Sequence, residues 1–285
     1  MRVIYRVILG RIIKSISLSF VFKLYICLNL WEIRIQKKIL KPHSEAKVRL
    51  LGEYLKRYLN IIGNDGYTER IKIYDLFCGE GIYNNDKEGS PLIILRAIKD
   101  LYFANVAKIK KIPFIDCQFN DIEARKVEKV KQAISDKSLY YAEYGEIDFT
   151  VEDYQNEIKK ISKYLQSVKN QKGFIFIDPY GYANIKAGDI RTLLSTGNSE
   201  VLLFLPTQFM YRFDSKGTPI ALIDFIEDLS IKYQDWKITD SVWKFIGQLT
   251  DAFKKYLGLA YFVDIFTIEK DPQTVFLLIL FLKSY

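Results

Sequence analysis

Residues 74–81 read Tyr-Asp-Leu-Phe-Cys-Gly-Glu-Gly. Two glycines one residue apart let a chain turn sharply and let its backbone approach a ligand that a side chain would exclude. Asp75 lies near the end of a strand-like run, residues 71–77, where open α/β sheets bind ligands. A tight turn that binds nothing would use the same glycines. The residues after the turn narrow the choice of ligand. Residues 83–89 are polar, and the next helix is expected only at Ser90, an N-cap type, with Pro91 at its first helical position. A pyrophosphate site wants the helix start inside the glycine motif, and no Gly-x-x-x-x-Gly-Lys-Ser/Thr occurs. A nucleoside ligand without phosphates, such as S-adenosylmethionine, fits better.

Further acidic positions recur at the ends of strand-like runs. After residues 114–119 comes Asn120-Asp121-Ile122-Glu123, where a carboxylate could accept both ribose hydroxyls. Asp121 is the first choice and Glu123 the second, and Asp121 could equally cap the helix expected from Ala124. Glu152-Asp153-Tyr154 comes after the third run and is placed for an adenine edge, with Asp153 also a plain helix cap. The fourth run, Phe174-Ile-Phe-Ile177, ends in Asp178-Pro-Tyr180-Gly-Tyr182. Asp178 could take a proton or hydrogen bond from a nucleophile, and Tyr180 or Tyr182 could stack on a planar substrate. The same residues also suit a strand-ending turn with a capping aspartate. Arg212, beyond the fifth run, could meet a phosphate.

These positions need elements to carry them, and the hydrophobic pattern supplies them. Val48, Leu51, Leu55, Leu59 and Ile62 recur at helical spacing within residues 44–62. Strands are expected at 71–77, 114–119, 147–151, 173–177 and 200–205. Helices are expected from Ser90 and at 124–134, 154–165, 187–194, 220–229 and 241–256. Two closing strands, 261–268 and 274–282, are joined by a tight turn and should pair antiparallel. Alternating strands and helices predict an α/β, Rossmann-like, doubly wound domain, with a mainly parallel seven-stranded sheet and an antiparallel last strand. No repeat or linker divides it, so one domain is expected over 43–285, preceded by an apolar and basic extension, 1–42. The chain stops directly after an apolar strand, so the natural protein is expected to continue.

Composition sets outer bounds. Hydrophobic residues at 49% and charged residues at 27% suit a globular chain with a core. Forty-two Lys and Arg against 34 Asp and Glu give a net charge of +8, compatible with a nucleic-acid partner, the basic residues being spread along the chain. Cys27, Cys78 and Cys117 stand at no metal-ligand spacing, so no metal is expected, and an odd count fits a reducing, cytoplasmic compartment. A single histidine, His43, argues against Ser-His-Asp hydrolysis and His-rich metal sites. Methyl transfer stays open, because positioning alone can supply most of its rate. Residues 15–31 are apolar but interrupted by Lys23 and lack a cleavage pattern, so neither a membrane span nor a signal peptide is expected.

The segments Asp75-Leu-Phe-Cys-Gly-Glu-Gly81, Gly89-Ser-Pro-Leu92 and Phe176-Ile-Asp-Pro-Tyr-Gly181 together resemble the three-Cys-motif partner (TcmP) family. So does the opening helix with His43 and Lys47, and the resemblance spans about residues 43–283. It implies a class I methyltransferase-type domain that binds S-adenosylmethionine and works beside a separate protein bearing a cysteine motif. On this reading Asp75, Phe77, Gly79 and Gly81 hold the methionine part, Asp121 or Glu123 the ribose and Asp153 the adenine, while Asp178 with Tyr180 faces the acceptor. The first turn also resembles cytosine-ring DNA methyltransferases, which require a nucleophilic Cys after a Pro; here Asp178-Pro179-Tyr180 occupies that place. Amino-group methyltransferases use Asp-Pro-Pro-Tyr, and this chain has Tyr180 at the second Pro and Gly181 at the aromatic. The expected function is methyl transfer, with nucleic acid ahead of protein as acceptor. The alternative is a non-catalytic binding module of the same fold.

Overall fold

The computed structural model describes residues 42–83, 87–106, 112–183, 185–214, 219–271 and 274–284. The expectations for residues 1–41, Cys27 among them, lie outside these. The described elements in chain order are α1 (Pro42–Ile62), β1 (Arg70–Asp75), α2 (Ser90–Val106), β2 (Phe114–Asn120), α3 (Ala124–Asp136), β3 (Ile147–Thr150), α4 (Tyr154–Ser167) and β4 (Gln171–Ile177). Then come α5 (Ala187–Leu194), β5 (Ser199–Leu205), α6 (Thr207–Asp214), α7 (Ile220–Asp228), a 3₁₀ turn (Tyr233–Asp235), α8 (Val242–Leu257), β6 (Tyr261–Asp271) and β7 (Thr274–Lys283). One helix, α6, was not expected from the sequence.

The strands form one seven-stranded sheet in the order β3-β2-β1-β4-β5-β7-β6. β1 pairs in parallel with both β2 and β4, and β2 with β3. β6 and β7 pair antiparallel, as the tight turn between them demands. The order reverses beside β1, the point at which open α/β sheets receive ligands. This is the Rossmann-like arrangement of methyltransferase domains.

By its internal contacts the chain falls into two compact units. One comprises the described residues up to Pro179 together with Asp189–Leu202; the other comprises Tyr180–Gly188 and the described residues from Leu203 onward. In the first unit the stripe Val48, Leu51, Leu55 and Leu59 buries the inner face of α1. Tyr54 and Tyr58 lay their rings against Phe174 of β4 at 5.8 and 5.3 Å. Gly52 lets α1 approach α2 closely, since a Cβ there would stand 2.8 Å from Ile93 Cγ2. β1 and β4 are buried along most of their length, which explains their near-continuous apolar runs. In the second unit Phe253 packs between Phe225 and Phe281, with centroids 6.2 and 5.1 Å away. Ser241 caps α8 by accepting from the Lys244 N–H at 3.2 Å.

Candidate functional site

Asp75 ends β1 level with Phe176 of β4, and Leu76 N donates to Phe176 O at 3.1 Å. Asp178 lies two residues further on, so both carboxylates stand at the carboxyl ends of adjacent parallel strands. Asp75 is fully buried. Its Oδ1 accepts from the Phe77 N–H at 3.4 Å, while its Oδ2 has no hydrogen-bond partner among the described residues. Burial pushes its carboxyl up to about 7, with the Asp178 charge adding to the rise; hydrogen bonding from Ser90 and Phe77, and the Lys47 ammonium, pull the other way.

The turn after β1 is built on backbone conformation. Gly79 and Gly81 have φ of 62° and 74°, values that L side chains rarely adopt. A Cβ on Gly79 would meet nothing within 4 Å, whereas one on Gly81 would press on Leu92 and Val130 at 3.2 Å. Gly81 is therefore required by packing and Gly79 faces open space. Gly81 O accepts from Gly89 N at 2.7 Å, and Ile82 bridges Glu88, which closes the loop ahead of α2. Phe77 rests its ring on Tyr154 at 5.3 Å. Cys78 is buried, and burial drives its thiol well above the ordinary range, so it offers no nucleophile.

Asn120 and Asp121 tie this turn to its neighbours. The buried Asn120 donates through Nδ2 to Leu76 O at 3.2 Å and Glu152 O at 3.1 Å; its Oδ1 accepts from Thr150 Oγ1 at 2.8 Å and Glu152 N at 3.2 Å. One amide thus fastens the carboxyl ends of β1, β2 and β3. Asp121, also buried, accepts from Gly79 N at 3.3 Å through Oδ2, and through Oδ1 from Glu123 N at 3.0 Å and Lys126 Nζ at 3.4 Å. Glu123, with its side chain 52% exposed, pairs with Lys126 at 2.7 Å. Asp153 is exposed and caps α4, its side chain accepting from Gln155 N at 2.9 Å.

A cation completes the cluster. Lys47, from the second turn of α1, donates to Asp178 Oδ2, with the two side chains only 10% and 15% exposed. Burial alone would push its ammonium down, yet Asp178, Tyr83 and Asp75 together hold it above its ordinary value. Glu45, in the first turn, pairs with Lys87 at 2.6 Å, so α1 is pinned to the loop after the glycines as well. In the sequence Lys47 stood out only through the family resemblance, and its partner lies 131 residues away.

In the other unit Tyr180 is 79% exposed. Tyr182 is buried edge-on against Phe225 at 6.2 Å, so its ring belongs to that unit's core and does not offer the stacking face expected of it. Arg212 is exposed on the last turn of α6. No group of side chains suited to a metal occurs among the described residues, and none of their helices is long and apolar enough to cross a membrane.

No protein-family model and no curated protein matches the sequence. Solved structures do resemble its fold. A putative rRNA-methylase from Clostridium thermocellum is 11% identical, with 88% of this chain and 100% of that one covered and a TM-score of 0.40. A methyltransferase from Geobacter sulfurreducens is 12% identical over 95% of this chain and 98% of that one, with a TM-score of 0.37. A loganic acid methyltransferase solved with S-adenosylhomocysteine is 11% identical over 79% of this chain and 74% of that one, with a TM-score of 0.38. The strand order and the parallel pairing around β1 carry the fold assignment.

Proposed function

We propose that this chain is an S-adenosylmethionine-dependent methyltransferase. One observation carries the proposal: Asp75 Oδ2 is buried without a hydrogen-bond partner among the described residues, immediately before a turn whose Gly79 faces open space. A buried acceptor left unmade costs about 1–3 kcal/mol. A donor on a bound ligand, such as the amino group of a methionine moiety, removes that cost. Asp75, Phe77, Gly79 and Gly81 are the residues to hold this part of the cofactor. Asp121 and Glu123 are assigned to the ribose: Asp121 fixes Gly79, and Glu123 presents the more accessible carboxylate. Asp153, whose side chain also caps α4, is assigned to the adenine edge. Asp178 and Tyr180 are assigned to the acceptor.

When bound, the cofactor supplies a methyl group on a positively charged sulfur. The protein's part is alignment and the handling of one proton, which fits a chain whose only histidine is His43. A net charge of +8 favours nucleic acid over protein as the acceptor. The sequence resemblance adds a protein partner bearing a three-Cys motif. One observation favours a second reading, a binding module without turnover: Asp178 is already engaged by Lys47.

Calorimetric titration with S-adenosylmethionine and S-adenosylhomocysteine tests the proposal. Saturable heat and a rise in melting temperature are expected for both. Absence of both signals would remove the enzyme reading. Cofactor binding with no methyl label passing to RNA, DNA or protein would favour the module.

A further inference from the structure

We infer that the acceptor atom at this site is a hydroxyl oxygen, and that Lys47 is the cation that steadies it as its proton leaves. The inference rests on the methyl-transfer proposal and deepens it. Lys47 and Asp178 meet at the carboxyl end of β4, both largely withdrawn from water, on the same unit as Asp75 and the glycine turn. α1 brings the lysine there and is itself fixed, by Glu45 to Lys87 on one side and by Tyr54 and Tyr58 on Phe174 on the other.

The sign of this fixed charge discriminates between acceptors. An amino nitrogen that attacks a sulfonium methyl gains positive charge in the transition state, and an ammonium beside it opposes that gain. A hydroxyl oxygen gains negative charge as its proton departs, and the same ammonium favours it. The neighbours that raise Lys47 keep it protonated, so it acts as a cation and donor and not as a base. The hydrogen-bond inventory agrees. Asp178 Oδ2 already accepts from Lys47, which leaves Oδ1 to take the acceptor's proton. Tyr180 and Gly181 stand where the Asp-Pro-Pro-Tyr motif of amino-group methyltransferases has its second Pro and its aromatic.

Atoms and electrons balance in the step. The hydroxyl O–H bond breaks and its proton passes to Asp178 Oδ1, then to solvent. The oxygen's electron pair forms the bond to the methyl carbon. The carbon–sulfur bond breaks with its pair returning to sulfur, and the sulfonium becomes the neutral thioether of S-adenosylhomocysteine.

The test uses the full chain. Titration with S-adenosylhomocysteine comes first, because absence of binding there removes the methyl-transfer reading itself and not this inference alone. With that ligand bound, 4-nitrophenol is added as a hydroxyl probe whose phenolate absorption reports ionisation without turnover. The wild type should lower the probe's apparent pKa by about one unit, a tenfold preference for the phenolate. Lys47→Met should abolish the shift and Lys47→Arg retain it. Lys47→Met leaves Asp178 without its cation, so the double variant Lys47→Met/Asp178→Asn, which removes both charges, carries the same expectation should the single variant not fold. No shift in the wild type, or an equal shift in the variants lacking Lys47, overturns the inference. The source of the hydroxyl is then identified with a labelled methyl donor offered with RNA, DNA of matching sequence and unfolded protein. Label on ribose oxygen, or on Ser, Thr or Tyr oxygen, supports the inference and names the source. Label on a base or side-chain nitrogen overturns it.

Discussion

At the scale of single residues, Asp75 sets function against stability. Its ordinary carboxyl value is 3.8 and its folded value is about 7, the rise coming from burial first and from Asp178 after it. Between those values the native state binds a proton that the unfolded chain does not. The stabilisation from that proton is complete below about 4 and is lost as pH rises through about 7. Three units correspond to about 4 kcal/mol. Asp75→Asn removes the ionisable group while keeping the shape. Its melting temperature should exceed that of the wild type at pH above 7 and approach it near pH 4, as scanning calorimetry at several pH values would read. The variant should also lose S-adenosylhomocysteine binding by tenfold or more. A variant that binds as well as the wild type would show that the orphan oxygen has no ligand to meet.

At the scale of elements, the site stands on how strand ends are fastened together. Asn120 makes four hydrogen bonds across the carboxyl ends of β1, β2 and β3, three of them to main-chain groups. Removing the amide leaves the Leu76 and Glu152 carbonyls and the Glu152 N–H to find new partners, at about 1–3 kcal/mol for each group left buried and unsatisfied. Asn120→Ala should cost about 2–4 kcal/mol in denaturant unfolding, and its loss of cofactor affinity should exceed that of Ser241→Ala, a cap on α8 in the other unit. Equal affinity in the two variants would mean that the strand ends hold the glycine turn without this clamp.

Such fastenings were the part least visible in the sequence. The run of strands and helices was legible because apolar periodicity is local, and the observed ends fall within a few residues of the expected ones. α6 escaped because it begins directly after Pro206 and is anchored by tertiary contacts, with Thr207 Oγ1 donating to Val275 O across 68 residues at 2.7 Å. Asp121 and Asp153 showed their acid at the right strand ends but not how it is spent. Asp153 caps α4, one of the two roles its spacing left open, while Asp121, read as a ribose acceptor or a cap, also accepts from Gly79 N, a tie across 42 residues that spacing alone does not reveal. The Lys47–Asp178 pair joins two segments with no periodic relation, so only the fold could bring it to view.

At the scale of the whole molecule, the net charge has an address. Nine of the 42 basic residues and one of the 34 acidic residues lie in the first 41 positions, which leaves 33 of each sign from Pro42 onward. The excess of +8 therefore belongs entirely to the N-terminal stretch, and residues 42–285, which include the candidate site, are neutral overall. A polyanion held by long-range attraction would be held mainly by that stretch, while the site would contribute the chemistry. Binding of a labelled RNA, monitored by fluorescence anisotropy over a salt series, separates these roles. The full chain should lose affinity steeply with salt, with a slope of about 0.9 per phosphate neutralised on a duplex or about 0.7 on a single strand. A chain beginning at Pro42 should bind S-adenosylhomocysteine as before and show a slope near zero. If the shortened chain kept the full slope, a basic surface of the folded body would be responsible, and the N-terminal charge would have no part in recruiting the acceptor.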